Sequence, residues 1–392
     1  MSEDAVIVAA VRTPIGRFGG AFSELPATTL GAIAVRAILE RSAIDPVRID
    51  DVLIGQVLQA GAGQNPARQS ALGGGIPHSV PAMTVNQVCG GGQRALHLAA
   101  QAIRLGDADI VLAGGQDSMT RAPHLLPHSR AGFKMGDVTM QDAMLVDGLV
   151  DAFNGVHMGV TAERLARKYQ ITRDEQDQFA LASQRKAAAA TAAGRFVDEI
   201  VPVEVRRKRE SIVIAEDEHP RPDTTLAQLA ALRPIFDDEG SVTAGNSSGL
   251  NDGAAALLVM SSRRARELGL KPLARIAAYA SAGVDPMEMG LGPVPATRAA
   301  LAKAGWAPAE LDLIELNEAF AAQSIAVNRE LGLDPDRINV NGGAIALGHP
   351  LGGSGARLVV TLIHEMVRRD AHKGLATMCI GGGQGVAICL ER

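Results

Sequence analysis

The same series of signals is written twice along this chain, in the same order and displaced by about 260 to 270 residues. PATTLGAIAVRAIL, from Pro26, resembles PATRAALAKAG, from Pro295. IDDVLIGQVL, from Ile49, matches LDLIELNEAF, from Leu311, each a short apolar strand pattern running into a polar turn. CGGGQRALHLAAQAI, from Cys89, matches HPLGGSGARLVVTLI, from His349, a glycine-rich turn entering a helix. DIVLAGGQD, from Asp109, matches ATMCIGGGQG, from Ala376, and the strand pattern AAALLVM, Ala254 to Met260, matches GVAICLE, which follows from Gly385. Strands alternating with helices in each copy predict an α/β fold of two half-barrel-like layers sharing one core. The long stretch between the last two strands of the first copy is then an insertion, expected to be a helical and irregular lid. The boundaries expected are 1–119 plus 250–270 for the first half, 120–249 for the insertion and 271–392 for the second half. A duplication also makes Cys89 and His349 equivalent, so a pseudo-twofold axis would bring two helix starts together.

With 392 residues, of which 47% are hydrophobic and 21% charged, the chain can bury a large core. A net charge of -5 argues against general affinity for nucleic acid or an anionic membrane. No apolar stretch is long enough to span a bilayer, and the acidic start MSEDAVIVAAVRTPIG is unlike a signal peptide. Three cysteines do not make a disulfide framework, so a reducing cytoplasm is the expected setting. No zinc-type spacing of cysteine and histidine occurs, and no metal site is expected.

Two of the three cysteines stand beside glycine runs. Leu96, Ala99, Ala100 and Ile103 share one helical face, which puts Cys89 at a helix N-terminus. There the macrodipole and free backbone N–H groups favour an anion, and the thiol pKa is expected to fall toward neutrality. Gly90, Gly91 and Gly92 are expected to leave room for an acyl group to approach. The competing reading is a small buried hydrophobe. His349 lies in NGGAIALGHPLGGSGAR, too glycine-rich for ordinary core, and reads as an exposed base. His364 and Cys389 read as structural. Asn317 follows a strand pattern and precedes a helix, where it is equally well an N-cap.

NQVCGGG, GGQDSM, HMG (His157 to Gly159), TAGNSSGLNDGAAA, GPVPAT, NEAFAAQ, GGAIALGHPLGGSGAR and CIGGGQG occur in the order seen in thiolases, and the resemblance covers nearly the whole chain. It implies the thiolase fold, a duplicated five-layer αβαβα core with an inserted loop domain. It implies an acyltransferase that condenses two acetyl-CoA to acetoacetyl-CoA, or thiolyses 3-ketoacyl-CoA, by a ping-pong route through an acyl-cysteine. By resemblance Cys89 is the nucleophile, His349 its base, and Cys379 a second acid/base. Asn317 would hold a catalytic water, with which His349 would stabilise an enolate oxygen. The N–H groups of Cys89 and Gly381 would form the other oxyanion site. The loop domain would bind coenzyme A, with His157, Met158, Arg221, Ser248, Met289, Ala319 and Phe320 as binding residues. No tightly bound cofactor is implied, only CoA thioesters as substrates. KMGDVTMQDAML (Lys134 to Leu145) resembles the tetramer-forming loop, so a homotetramer, a dimer of dimers, is expected, although these methionines equally suit packing inside a lid.

Three residues depart from the family pattern. Gly91 stands where serine is common and Gln93 where leucine is common, which predicts a looser nucleophile turn and a more polar acyl pocket. Val156 replaces an aromatic residue before HMG and predicts room for a longer acyl group. A ketoacyl-synthase-type condensing enzyme and a non-catalytic acyl-CoA carrier of the same fold are the alternatives. RRKRE (Arg206 to Glu210) reads as a solvated strand edge, and GAGQNPARQS (Gly61 to Ser70) lacks the lysine and spacing of a P-loop.

Overall fold

The computed structural model describes residues 3–207 and 210–392. Its central feature is one hydrogen-bonded path of strands built from two like halves. In the first half Asp51–Gly55 lies parallel between Ala82–Val85 and Ile110–Ser118, followed by antiparallel Asn251–Ser261 and Ala5–Arg12. In the second, Leu313–Leu316 lies parallel to Lys373–Ile380, followed by antiparallel Gln384–Glu391 and Ala274–Gly283. A single parallel bridge from Ile314 to Ile338 stands where the first half has its edge strand. The halves join where Val6 and Ile7 pair with Arg275 and Ala274.

The two sheet halves share one core, as the repeat predicts, and each is open, ending on an edge strand. Strands covered by helices on both faces have no solvent face to close away. The helices Gly91–Leu105 and Leu351–Arg369 lie between the halves, and the core they share takes side chains from both. Ala27–Ser42 and Pro66–Gly74 cover the outer face of the first half, and Pro293–Ala304 and Ala321–Leu331 that of the second. The result is five layers in the order αβαβα. Asn251–Ser261 shows why the strand patterns are continuously apolar: Ala255, Leu257 and Val259 enter the inner core while Ala254, Ala256, Leu258 and Met260 enter the outer one. In Ala5–Arg12 a bulge between Ile7 and Ala9 sends Ile7 inward and Ala9 outward, although two positions apart would otherwise share a face.

Between Ser118 and Asn251 the chain forms the helices Met158–Lys168 and Arg173–Ala192 and short hairpins. The longer helix starts on a capping box, in which Thr172 and Glu175 satisfy each other's backbone N–H groups. Arg206 is exposed on the hairpin strand Val203–Arg207, while Lys208 and Arg209 of RRKRE lie outside the described residues. Met135 and Met140 are exposed and pack under no lid, whereas Met144 is buried.

Candidate active site

The duplication sets Cys89 and His349 at matching points, each two residues before a central helix, at Gly91 and Leu351. Between those helices a side chain at Gly92 would put its Cβ 2.8 Å from the Gly352 oxygen and 2.9 Å from the Ala356 nitrogen. A Cβ at Gly90 would meet Ile380 Cδ1 at 2.3 Å. These glycines therefore serve close approach of the Cys89 turn to its neighbours and are not among the residues lining the adjoining cavity, contrary to expectation. At Gly91 a Cβ would meet the Val85 oxygen at 3.1 Å, so glycine relieves contact there and does not loosen the turn.

Cys89, His349, Cys379, Gly381, Met158, Met289, Ala319, Phe320 and Ser248 line one inner chamber of about 40 Å³. Ser248, Phe320 and His349 also line an outer cleft of about 630 Å³, together with His157 and Arg221. Folding thus brings together both cysteines and the histidine from opposite ends of the sequence. Asn317 lines neither space. It is fully buried, and neither carboxamide atom has a partner among the described residues. The following helix begins at Ala321 on Phe320, so Asn317 is not its cap.

His349 is held closely. Its N–H donates to Asn251 Oδ1 at 2.9 Å, and Gly348 at φ 106 lets the backbone pass Asn251. Its Nδ1 lies 2.6 Å from Ser354 Oγ, whose own proton goes to the Pro350 carbonyl at 3.1 Å. Ser354 Oγ can accept from His349 Nδ1–H while bonded to Pro350, an arrangement that leaves a lone pair on Nε2. His349 is buried, not exposed as expected, and burial, then the charge of Arg357, pushes its pKa down to about 3. Its imidazole is neutral across the physiological range.

Cys89 is half-buried, and desolvation pushes its thiol up to about 11, opposite to the expected fall. The N–H groups of Gly381 and of Cys89 itself oppose that shift by favouring the thiolate. Cys379 is raised further by burial and then by the neighbouring Cys89. At rest the chamber holds two thiols and one neutral imidazole. Cys389 is wholly buried in the outer core, and His364 Nε2 meets the Ala10 carbonyl at 3.0 Å, so both are structural.

The cleft walls are aromatic. His157 stacks on Phe236 at 4.6 Å, and Phe236 meets the edge of Phe320 at 6.2 Å. His157 Nδ1 also caps Met158–Lys168 by accepting the Gly159 N–H at 3.1 Å. At the mouth Arg221 is exposed, on a segment tied down by its acidic neighbours. Asp217 takes two bonds from the buried Arg12, at 2.6 and 2.9 Å, and Glu218 accepts the Ala21 N–H at 3.0 Å. Arg12 also reaches Glu199 at 2.6 Å. Gln93 donates to the Ala376 carbonyl at 2.9 Å inside the core and lines neither space, so it does not make the acyl pocket polar. Val156 lines neither space, so it does not set the chamber's size. The sequence reading missed Ser354, Asn251, Leu149, Leu351 and Phe236. Ser354 and Leu351 stand in the same glycine turn as His349, and Asn251 stands within TAGNSSGLNDGAAA, whereas Leu149 and Phe236 lie in no such motif.

Residues 5–263 match the model of the thiolase N-terminal domain, and residues 270–392 that of the thiolase C-terminal domain. The chain is 61% identical over 391 residues to an acetyl-CoA acetyltransferase of Pseudomonas aeruginosa, with 100% of each covered. It is 60% identical over 393 residues to the acetyl-CoA acetyltransferase of Thiocystis violacea, with 100% of each covered. The crystal structure of the Bacillus anthracis acetyl-CoA acetyltransferase superposes with a TM-score of 0.98 at 45% identity, over 100% of this chain and 99% of that one. Human mitochondrial 3-ketoacyl-CoA thiolase superposes with a TM-score of 0.96 at 44% identity, over 99% of this chain and 98% of that one. With both halves matched and the fold shared, the chain belongs to the thiolase family.

Proposed function

We propose that this acyltransferase reversibly condenses two acetyl-CoA to acetoacetyl-CoA and CoA, thiolysis being the reverse, through an acetyl group on Cys89. The observation that carries the reading is the single small chamber lined by Cys89, His349, Cys379 and Gly381 at the inner end of an open cleft. The family match over both halves sets aside the ketoacyl-synthase alternative, and the presence of Cys89 sets aside the carrier.

In the first half-reaction the Cys89 sulfur attacks the acetyl carbonyl carbon as its proton passes to His349 Nε2. The carbonyl oxygen becomes an oxyanion facing the N–H groups of Cys89 and Gly381, a kind of donor worth about 3 to 4 kcal/mol each. The carbon–sulfur bond to CoA breaks, and the departing thiolate takes the Cys379 proton. Acetyl-Cys89, a Cys379 thiolate and a protonated His349 remain. A second acetyl-CoA then loses an α-proton to Cys379, with its enolate oxygen near His349 and a water that Asn317 would hold. The fully buried, unpartnered carboxamide of Asn317 supports its holding a water there. The enolate carbon bonds to the acetyl carbon, Cys89 leaves as thiolate, and His349 returns its proton. The raised pKa of Cys379 suits this step, because a thiolate that is costly to form away from water is a strong base.

A chamber of about 40 Å³ supports an acetyl group as the acyl unit. Longer chains would require Met158 or Met289 to move, which flexible thioethers permit at some cost. Arg221 at the mouth suits the phosphates of CoA, and Ser248 its amide-bearing arm. The exposed Met135 and Met140 support the tetramer-forming role of their segment. No helix among the described residues is long and apolar enough to cross a membrane, and three free cysteines support a cytoplasmic setting. Mass spectrometry after brief exposure to acetyl-CoA is expected to find the acetyl group on the Cys89 peptide. Cys89→Ala should abolish the label, and Cys379→Ala should keep it while losing α-proton exchange. A label mapped to another residue overturns the assignment. Thiolysis of 3-ketoacyl-CoA substrates should slow as the chain lengthens.

A further inference from the structure

The two turns that carry the cysteines are tied to each other by a pair of glutamines. Gln87 Nε2 donates to Gln384 Oε1 at 2.9 Å, across 297 residues of sequence and between the two halves of the duplication. Gln87 stands two residues before Cys89, and Gln384 stands in register opposite Ile380, the residue before Gly381.

The turns also meet where Gly90 packs beside Ile380 and Val386, and the glutamine bond adds a polar side-chain tie between them. Val88, between Gln87 and Cys89, is held at φ 44, a left-handed conformation costly for a β-branched residue. Asn86 Oδ1 accepts the Val88 N–H at 2.9 Å, and the carbonyls of Gln87 and Val88 accept the N–H groups of Gly90 and Gly91, each at 3.0 Å. These bonds fix the turn internally but not against the opposite half. The opposite turn is three glycines, two of them at φ 82, with no side chains to pack. Its Gly383 carbonyl accepts the Val284 N–H at 2.7 Å, which anchors it to its own half only.

We propose that the Gln87–Gln384 hydrogen bond is a positioning clamp that holds the Gly381 N–H in register with the Cys89 sulfur. The clamp rests on the reading of Cys89 and Gly381 given above. Neither glutamine touches substrate; both act through the turns they join. Loosening the clamp should weaken stabilisation of the oxyanion and leave the coenzyme A cleft intact.

The test replaces each glutamine by methionine, which keeps the length of the side chain and removes the bond. Gln384→Met and Gln87→Met should each lower kcat about tenfold, with KM for acetyl-CoA within twofold and the thermal midpoint within about two degrees. The double variant should be no worse than either single one, since the same bond is lost once. Gln384→Glu, which keeps an acceptor oxygen for Gln87, should stay within threefold of the parent. The clamp is overturned by a kcat within twofold for Gln384→Met, by losses that multiply in the double variant, or by an equal loss in Gln384→Glu. If one methionine variant folds poorly, the methionine variant of the other glutamine, set against Gln384→Glu, decides the matter. Acetyl labelling of the parent enzyme separates the two claims: an unlabelled Cys89 removes the chemical assignment, whereas a labelled Cys89 with an unaffected Gln384→Met removes the clamp alone.

Discussion

At Cys89 two influences oppose each other, and their sizes decide the resting state. A helix N-terminus typically favours a nearby anion by about 0.3 to 1 kcal/mol. Removing a charge from water costs several kcal/mol per ion. Cys89 is only half-buried, yet the desolvation it does suffer outweighs the helix and pushes its thiol up to about 11. Because the folded pKa lies above the unfolded value of about 8.5, the folded state holds the proton longer, so stability falls as pH rises from about 9 to 11. The same value governs reactivity. Alkylation of Cys89 in the free enzyme by iodoacetamide should rise about tenfold per pH unit from 7 to 10, with no inflection between 6 and 7, since His349 is already neutral there. A plateau below pH 8.5 would show an activated thiolate instead. The fall in pKa read from the sequence was wrong because a motif reveals a helix start but not the depth at which it lies. Asn317 repeats the lesson, since its position after a strand fitted an N-cap until the helix was seen to begin four residues later.

Among the elements, the two central helices place the chemistry. They cross where Gly92 meets Gly352 and Ala356, and where a Cβ on Gly355 would lie 2.5 Å from the Gln93 nitrogen. Backbone atoms cannot yield as a flexible side chain does. Gly92→Ala should therefore cost about 1 to 3 kcal/mol by overpacking, read as a lower midpoint in urea. A loss under about 0.5 kcal/mol would mean that the helices separate freely. Most elements were legible because each repeats with its own punctuation, such as glycine before a helix or proline at its first turn. The pairing of Ala5–Arg12 with Ala274–Gly283 as equivalent strands was not, since short apolar runs without such marks resemble one another everywhere.

For the molecule as a whole, the segment between Ser118 and Asn251 bears on the cleft and on the proposed assembly. Arg12, from the first strand, anchors Glu199 and Asp217 and so holds the segment bearing Arg221 against the core. The exposed apolar side chains of the inserted region, Phe133, Met135, Val138 and Met140, lie close in sequence and need a partner surface to leave water. Sedimentation is expected to give a native mass of four chains, and Met135→Asp with Met140→Asp should reduce it to two. A parent that sediments as a single chain would overturn the tetramer.

Sequence alone determined the duplication, the α/β class and the residues with nucleophilic or basic chemistry, because periodicity, glycine placement and functional groups are local properties of a chain. Tertiary structure decided which of those residues share a chamber, how deeply they are buried and therefore their protonation. It also showed that the glycines serve contact between elements, since close approach and desolvation depend on neighbours hundreds of residues away.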